Sequence, residues 1–287
     1  MPERLKAAIE KARQARSGLY GHDARISGAS SAARALESED AVAAEGAPMD
    51  VVQRWAALQE VKPDISAMRR HRIVTHQKTD AAHYSFDVLR TRILMMFRDN
   101  GWTRLGVTSP SLGCGKTMFS ANLALSCARQ TETRVALTDM DLRSPRLADC
   151  FGVTEERVLE WYLAGQTPAE TFLRRVGNNL ALCLNSTVVR HSAEITQSER
   201  TSRTLDALHS DYEPDISLFD LPPLLYGDDA LAFLPNLDAV VLVAAAGQSK
   251  ASEIDEAERQ LSETTNFLGV VLNKTREKDP HAEMYGY

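Results

Sequence analysis

The sequence predicts an α/β protein, a mostly parallel sheet flanked by helices on both faces and preceded by a helical, partly disordered N-terminal extension. Three observations predict it. From about Ile73 onward, short and nearly continuous apolar runs alternate with helix-patterned segments, as strands buried on both faces alternate with crossover helices. One run leads into a loop of small residues that ends Gly-Lys-Thr and opens a helical segment. Two later runs are followed by carboxylates, at Asp139 and Asp220, the edge of such a sheet where ligands bind.

The 287 residues are 44% hydrophobic and 25% charged, enough for one large or two modest domains with a substantial core. With 33 basic against 39 acidic residues the net charge is −6, so no general attraction to phosphate backbones arises and no nucleic-acid partner is expected. The longest apolar run, Ala239–Ala246, is far short of the ~20 residues of a membrane-spanning helix. The first residues, Met-Pro-Glu-Arg-Leu-Lys, lack the cationic stub and apolar stretch of a secretory signal, and a cytoplasmic protein is expected. Cys114, Cys127, Cys150 and Cys183 form no C-x-x-C pair, which indicates neither disulfides nor a structural metal.

In chain order, residues 1–62 form a variable extension rich in Ala, Ser, Glu and Arg. Within it Glu3–Arg16 can form a helix with Leu5, Ala8, Ile9 and Ala12 on one face, and residues 18–48 read as linker. A second helix, Val51–Glu60, sets Val51, Val52, Trp55 and Leu58 on one stripe, a pattern that covers a core. Residues 63–100 supply a connecting segment and helix. Residues 101–273 form the principal domain. Its expected strands are Leu105–Thr108, Val135–Thr138, Leu180–Leu184, Ile216–Phe219, Ala239–Ala244 and Phe267–Leu272. The expected helices are Lys116–Arg129, Glu155–Leu163, Glu199–His209, Ala230–Leu234 and Ala251–Thr264. Residues 274–287 form a flexible tail with Tyr285 and Tyr287.

The chemistry lies at the strand ends. The first strand runs into Ser109-Pro110-Ser111-Leu112-Gly113-Cys114-Gly115-Lys116-Thr117, followed by Met118 and a helix. Small residues let backbone N–H groups turn inward around phosphate oxygens, and the helix dipole adds to that field. Gly113, Cys114, Gly115, Lys116, Thr117 and Met118 are therefore the nucleotide-binding candidates, with Lys116 reaching the β and γ phosphates and the Thr117 hydroxyl ligating Mg²⁺. The G-x-x-x-x-G-K-[ST] pattern would place Gly where Pro110 stands; strand, loop and helix supply the rest of the P-loop context. Cys114 either has an activated thiol at the helix N-terminus or simply fills the loop.

The second strand ends in Asp139-Met140-Asp141-Leu142-Arg143. Two carboxylates this close point to one side and are costly to bury without a cation. Asp139 and Asp141 can hold Mg²⁺, or one of them can accept the proton of an attacking hydroxyl. Arg143 is a further site candidate. Asp220 precedes Leu221-Pro222-Pro223 and can hold Mg²⁺ directly or through water. Asn273, at the end of the last strand, can pair with an adenine edge or form a turn.

These segments, with Phe86-Asp-Val-Leu-Arg-Thr-Arg, Ser192-Ala-Glu-Ile and Leu268-Gly-Val-Val-Leu-Asn-Lys, resemble the cytoplasmic catalytic domain of bacterial tyrosine kinases that regulate capsule and exopolysaccharide synthesis. The resemblance runs from about Ile73 to Lys274. It implies a P-loop NTPase fold and an ATP- and Mg²⁺-dependent tyrosine autokinase in which Lys116, Asp139, Asp141 and Asp220 are catalytic. It further implies that Tyr285 and Tyr287 are phosphoacceptors modified between subunits of a homo-oligomer. A membrane-embedded polysaccharide chain-length regulator would be the activating partner, recruiting the protein peripherally to the inner face of the cell membrane. Where that family carries Glu, Arg and Arg for ring contacts, this chain has Tyr84, Asp87 and Arg90. Two other readings remain open from sequence: a non-kinase ATP switch in polysaccharide export, and a partitioning-type ATPase. The latter would need a second lysine where Ser111 stands.

Overall fold

The computed structural model describes residues 49–75 and 82–275. The expected helix Glu3–Arg16, the linker after it and the two tail tyrosines lie outside the described residues. Seven strands hydrogen-bond in the order β3-β4-β2-β5-β1-β6-β7. They are β1 (Arg104–Thr108), β2 (Val135–Asp139), β3 (Arg174–Val176), β4 (Leu180–Cys183), β5 (Ile216–Asp220), β6 (Ala239–Ala245) and β7 (Asn266–Asn273). All neighbours are parallel except β3 and β4.

Alternate side chains along each central strand enter two different cores. Leu105 and Val107 of β1, Val135 and Leu137 of β2, and Val241 and Val243 of β6 join Phe97, Phe119 and Leu123. Ala136, Phe219, Val240 and Leu242 join Trp55, Tyr162, Leu205 and Leu261 in the other. Every residue of β2, β5 and β6 is buried, as strands covered on both faces require.

The helices are α1 (Val51–Ala57), α2 (Ile65–Arg70), α3 (Ala82–Asn100), α4 (Lys116–Ala128), α5 (Leu147–Phe151), α6 (Leu159–Leu163), α7 (Ala169–Phe172), α8 (Ser192–Thr196), α9 (Glu199–Tyr212), α10 (Asp229–Phe233) and α11 (Ala251–Thr264). Helix α1 starts in an Asp50/Gln53 capping box and buries Trp55 and Leu58, whereas Val52 faces solvent. It stops before Glu60, whose backbone instead bridges to Arg175.

Three departures from the expected elements have physical causes. Strand β3 is short and begins with two arginines, so no apolar run marks it. The helix expected over Glu155–Leu163 covers only Leu159–Leu163, because Arg157 turns inward and donates to the Phe172 carbonyl at 2.9 Å while pairing with Glu155. Helix α9 continues past His209 to Tyr212, whose carbonyl accepts the Trp55 indole N–H at 2.7 Å.

Candidate functional site

Strands β2, β5 and β1 are adjacent, and in register Asp139 stands beside Asp220 while Val107 stands on the other side of Asp220. The loop after Thr108 therefore opens next to both carboxylates. Its start is tied to the segment after β5: Thr108 Oγ1 donates to the Pro222 carbonyl at 2.7 Å, and the Leu224 N–H to the Ser109 carbonyl at 2.8 Å. Gly113 and Gly115 adopt φ of +76° and +93°, conformations that cost side-chain-bearing residues free energy. A Cβ on Gly115 would also come within 2.3 Å of the Asn273 amide nitrogen.

That approach exists because Asn273 Nδ2 donates to the Cys114 carbonyl at 2.8 Å, while Asn273 Oδ1 accepts from the Lys274 N–H. Gln248 Nε2 holds the Leu112 carbonyl at 2.7 Å in the same way. The amide read from sequence as either a base partner or a turn former is thus engaged with the loop itself. The Cys114 side chain is buried, with Ser111 Oγ at 3.6 Å and Ser249 Oγ at 3.4 Å, so it fills the loop interior. Gly115 supplies no capping side chain to the 13-residue α4, which leaves the leading N–H groups and positive helix end to the loop.

Charge is concentrated inside this frame. Lys116 Nζ lies 2.6 Å from Asp141 Oδ2 and 3.9 Å from Asp220 Oδ2, with Thr117 Oγ1 at 3.5 Å. Asp139 Oδ2 accepts the Arg146 and Leu147 N–H groups at 3.0 and 2.9 Å. Asp141 Oδ1 accepts the Ser144 N–H at 3.1 Å, closing the turn after the D-x-D pair. Ser120 Oγ donates to Asp220 Oδ1 at 3.2 Å. Lys116, Thr117, Asp139, Asp141 and Asp220 are therefore brought together. Ser120 joins them unannounced by the sequence, although its position one turn after Lys116 on a sheet-facing helix is a usable signal.

Burial strains the ionisation of this cluster. It pushes the Asp139 carboxyl well above the ordinary aspartate value, and the neighbouring Asp220 charge adds to the effect. Burial likewise raises Asp220 although Lys116 opposes the shift. For Lys116, burial favours the neutral amine, but Asp220 and Asp141 outweigh it and hold the ammonium above its usual pKa. Asp139 Oδ1 and Asp220 Oδ2 are buried without a hydrogen-bond partner. Two orphaned carboxylate oxygens on adjacent strands fit a further cation. Among the described residues no three His, Cys, Asp or Glu side chains form a ready metal cage. That donor set suits Mg²⁺, which keeps waters and takes phosphate oxygens as ligands.

Arg143 has other partners. Its Nε meets Asp229 Oδ2 at 2.7 Å and Ser192 Oγ at 3.1 Å, and Ser192 in turn donates to Asp229. This strap fixes the turn after Asp141 to α8 and α10; nothing in the sequence marks Asp229 for that role. Met118 faces the side of α4 away from the carboxylates and lines a cavity with Phe86, Phe119 and Asn273. Asp87 and Arg90 are spent within the chain: Asp87 binds Arg90 at 3.0 Å, Ser126 Oγ at 2.9 Å and Arg129, joining α3 to α4.

Comparison with known proteins accords with this geometry. Residues 105–285 match the CobQ/CobB/MinD/ParA nucleotide binding domain. The chain belongs to this family. Among its relatives is EpsB of Ralstonia solanacearum, 31% identical over 201 residues that make up 69% of this chain and 26% of EpsB. Another is tyrosine-protein kinase CpsD of Streptococcus agalactiae, 28% identical over 195 residues, 67% of this chain and 83% of CpsD. The solved kinase domain of the Escherichia coli tyrosine kinase ETK superposes with a TM-score of 0.61 at 25% identity, covering 68% of this chain and 76% of that one. The nucleotide-binding chain spans less than a third of the length of the curated relatives that match it over the longest stretches. No helix among its described residues is long and apolar enough to cross a membrane.

Proposed function

We propose that this protein is an ATP-dependent tyrosine autokinase of capsule or exopolysaccharide synthesis. The observation that carries this reading is the single buried cluster in which Lys116, Asp139, Asp141 and Asp220 meet at the mouth of a phosphate loop. The tyrosine-kinase names of its relatives supply the chemical class.

The backbone of Gly113 to Met118 cradles the phosphates, and Lys116 follows charge onto the transferring phosphoryl group. Thr117, Asp139, Asp141 and Asp220 are the residues that would hold Mg²⁺, which neutralises charge building on the phosphate oxygens when it is bound. A tyrosine hydroxyl attacks the γ-phosphorus, the bond to the ADP oxygen breaks, and one carboxylate of the Asp139/Asp141 pair takes the hydroxyl proton. The products are ADP and phosphotyrosine. Tyr285 and Tyr287 are the proposed acceptors. At ~3.3–3.6 Å per extended residue, the 13 residues after Lys274 reach ~43–47 Å, enough for a neighbouring subunit's site. Repulsion between the phosphorylated tail and the acidic site favours release.

The activating partner in this reading is a membrane-embedded polysaccharide chain-length regulator, which recruits the cytoplasmic kinase to the inner face of the cell membrane as a homo-oligomer. Mass spectrometry after incubation with Mg²⁺-ATP and that partner tests the reading. Phosphate on Tyr285 or Tyr287 is expected. Its absence from both, with ATP bound, moves the protein to the class of non-kinase ATP switches.

A further inference from the structure

A cavity of about 1050 Å³ lies between α2, α3, the start of α4 and the end of β7. Arg69, Arg72, Arg92 and Lys274 line it, and no acidic side chain does so among the described residues. None of the three guanidiniums makes an ion pair or side-chain hydrogen bond with another described residue. Nearby Arg90 and Arg129, by contrast, are both engaged with Asp87. The floor is apolar: the Phe86 and Phe119 rings lie 5.6 Å apart at 41°, flanked by Met118, Leu89 and Val271.

Uncommitted guanidiniums around an aromatic floor suit a ligand with a phosphate head and a planar body. The chain itself carries a candidate. Thr275 lines the cavity, and the sequence continues from it through residues 276–287 to Glu283-Met-Tyr-Gly-Tyr. Ten residues separate Thr275 from Tyr285, a span of up to ~33–36 Å that allows the tail to fold back.

We propose that this cavity is a docking site for the phosphorylated tail, with phosphotyrosine 285 or 287 setting its phosphate on Arg69, Arg72 and Arg92 and its ring against Phe86 and Phe119. The proposal rests on tyrosine phosphorylation as the reaction of the neighbouring site. An unmodified tyrosine lacks the charge the rim needs; phosphorylation adds about −1.5 to −2 charges and creates it. Docking thereby follows the reaction and withdraws the product from the site that made it.

A fluorescent synthetic peptide of residues 276–287, with or without phosphate on Tyr285, tests this directly. It is titrated against the full chain carrying Tyr285→Phe and Tyr287→Phe, whose own tail cannot bear phosphate. The phosphopeptide should bind at least about tenfold more tightly than the plain peptide and more weakly as salt rises. Arg69→Gln/Arg92→Gln, on exposed helix positions, should remove that preference, and so should Arg72→Gln, whereas Lys116→Met should leave it intact. Equal binding of the two peptides overturns the proposal. So does loss of binding in Lys116→Met with the arginine variants unchanged, which would put the phosphate in the phosphate loop. Because the peptide carries its phosphate from synthesis, failure of autophosphorylation would leave this titration unaffected.

Discussion

On one side of the phosphate loop the charges are inside the protein; on the other they stand on its surface. At the ends of β2 and β5, Asp139 and Asp220 are fully buried, and one lysine, Lys116, pairs with Asp141 and Asp220. Across α4, Arg69, Arg72 and Arg92 are exposed around an apolar floor. The buried side is costly by itself, because desolvated like charges on adjacent strands destabilise one another. The exposed side costs little, because water solvates its arginines. A buried, under-compensated cluster suits chemistry that brings its own cation, and an exposed cationic rim suits reversible docking.

The sharpest way to break this contrast is Lys116→Met. In the structure Lys116 is the cation between the buried Asp141 and Asp220 carboxylates. Its removal should lower phosphoryl transfer by at least ~10²-fold and cost about 3–5 kcal/mol of stability at neutral pH. Transfer of γ-labelled phosphate and denaturant unfolding check the two effects.

Next in size is Gly115→Ala. It combines a positive φ with a 2.3 Å approach to the Asn273 amide, and should cost about 1–3 kcal/mol and weaken nucleotide binding. A thermal melt with and without ATP reads both.

Asp139→Asn should do the opposite to stability. An asparagine keeps an acceptor for the Arg146 and Leu147 N–H groups and replaces the orphaned oxygen with a donor facing Asp220. Without Mg²⁺ the variant should gain about 1–3 kcal/mol while losing activity. The sign follows from burial. A folded-state pKa well above the ordinary aspartate value means that the native state binds more protons than the unfolded one across the interval between the two values. Wild-type stability should therefore fall as pH rises through that interval, and the fall should be smaller in the variant. Chemical unfolding between pH 4 and pH 8, at about one-unit steps, measures it. The smallest effect belongs to Asn273→Ala, which frees the Cys114 carbonyl and should cost about 1 kcal/mol, with a modest loss of ATP affinity by calorimetry.

The buried side was also the more legible in sequence. Gly-Cys-Gly-Lys-Thr, Asp139-Met-Asp141 and Asp220 each follow an apolar strand, and strand ends of a parallel sheet converge without further information. Six strands could be read from apolar runs alone. Strand β3 could not, because its arginines are held by distant partners such as Glu155, bonded to Arg174 at 2.9 Å. The Arg143 strap was equally hidden, since Ser192 and Asp229 meet it only through tertiary packing. Asn273 was found by its strand-end position, but its engagement with the Cys114 carbonyl depends on the register of β7 beside β6. The cationic cavity assembles from four separate segments, and the basic run Arg69-Arg70-His71-Arg72 does not show by itself which aromatic floor it faces.

Calorimetric titration of ATP into the protein, with and without Mg²⁺, tests most directly whether the buried carboxylates form a metal-nucleotide site. The wild type should bind more tightly when Mg²⁺ is present, and Asp220→Asn should lose most of that Mg²⁺-dependent gain while retaining Mg²⁺-free binding. Equal affinity with and without Mg²⁺ in the wild type, or an undiminished Mg²⁺ effect in Asp220→Asn, would contradict the assignment.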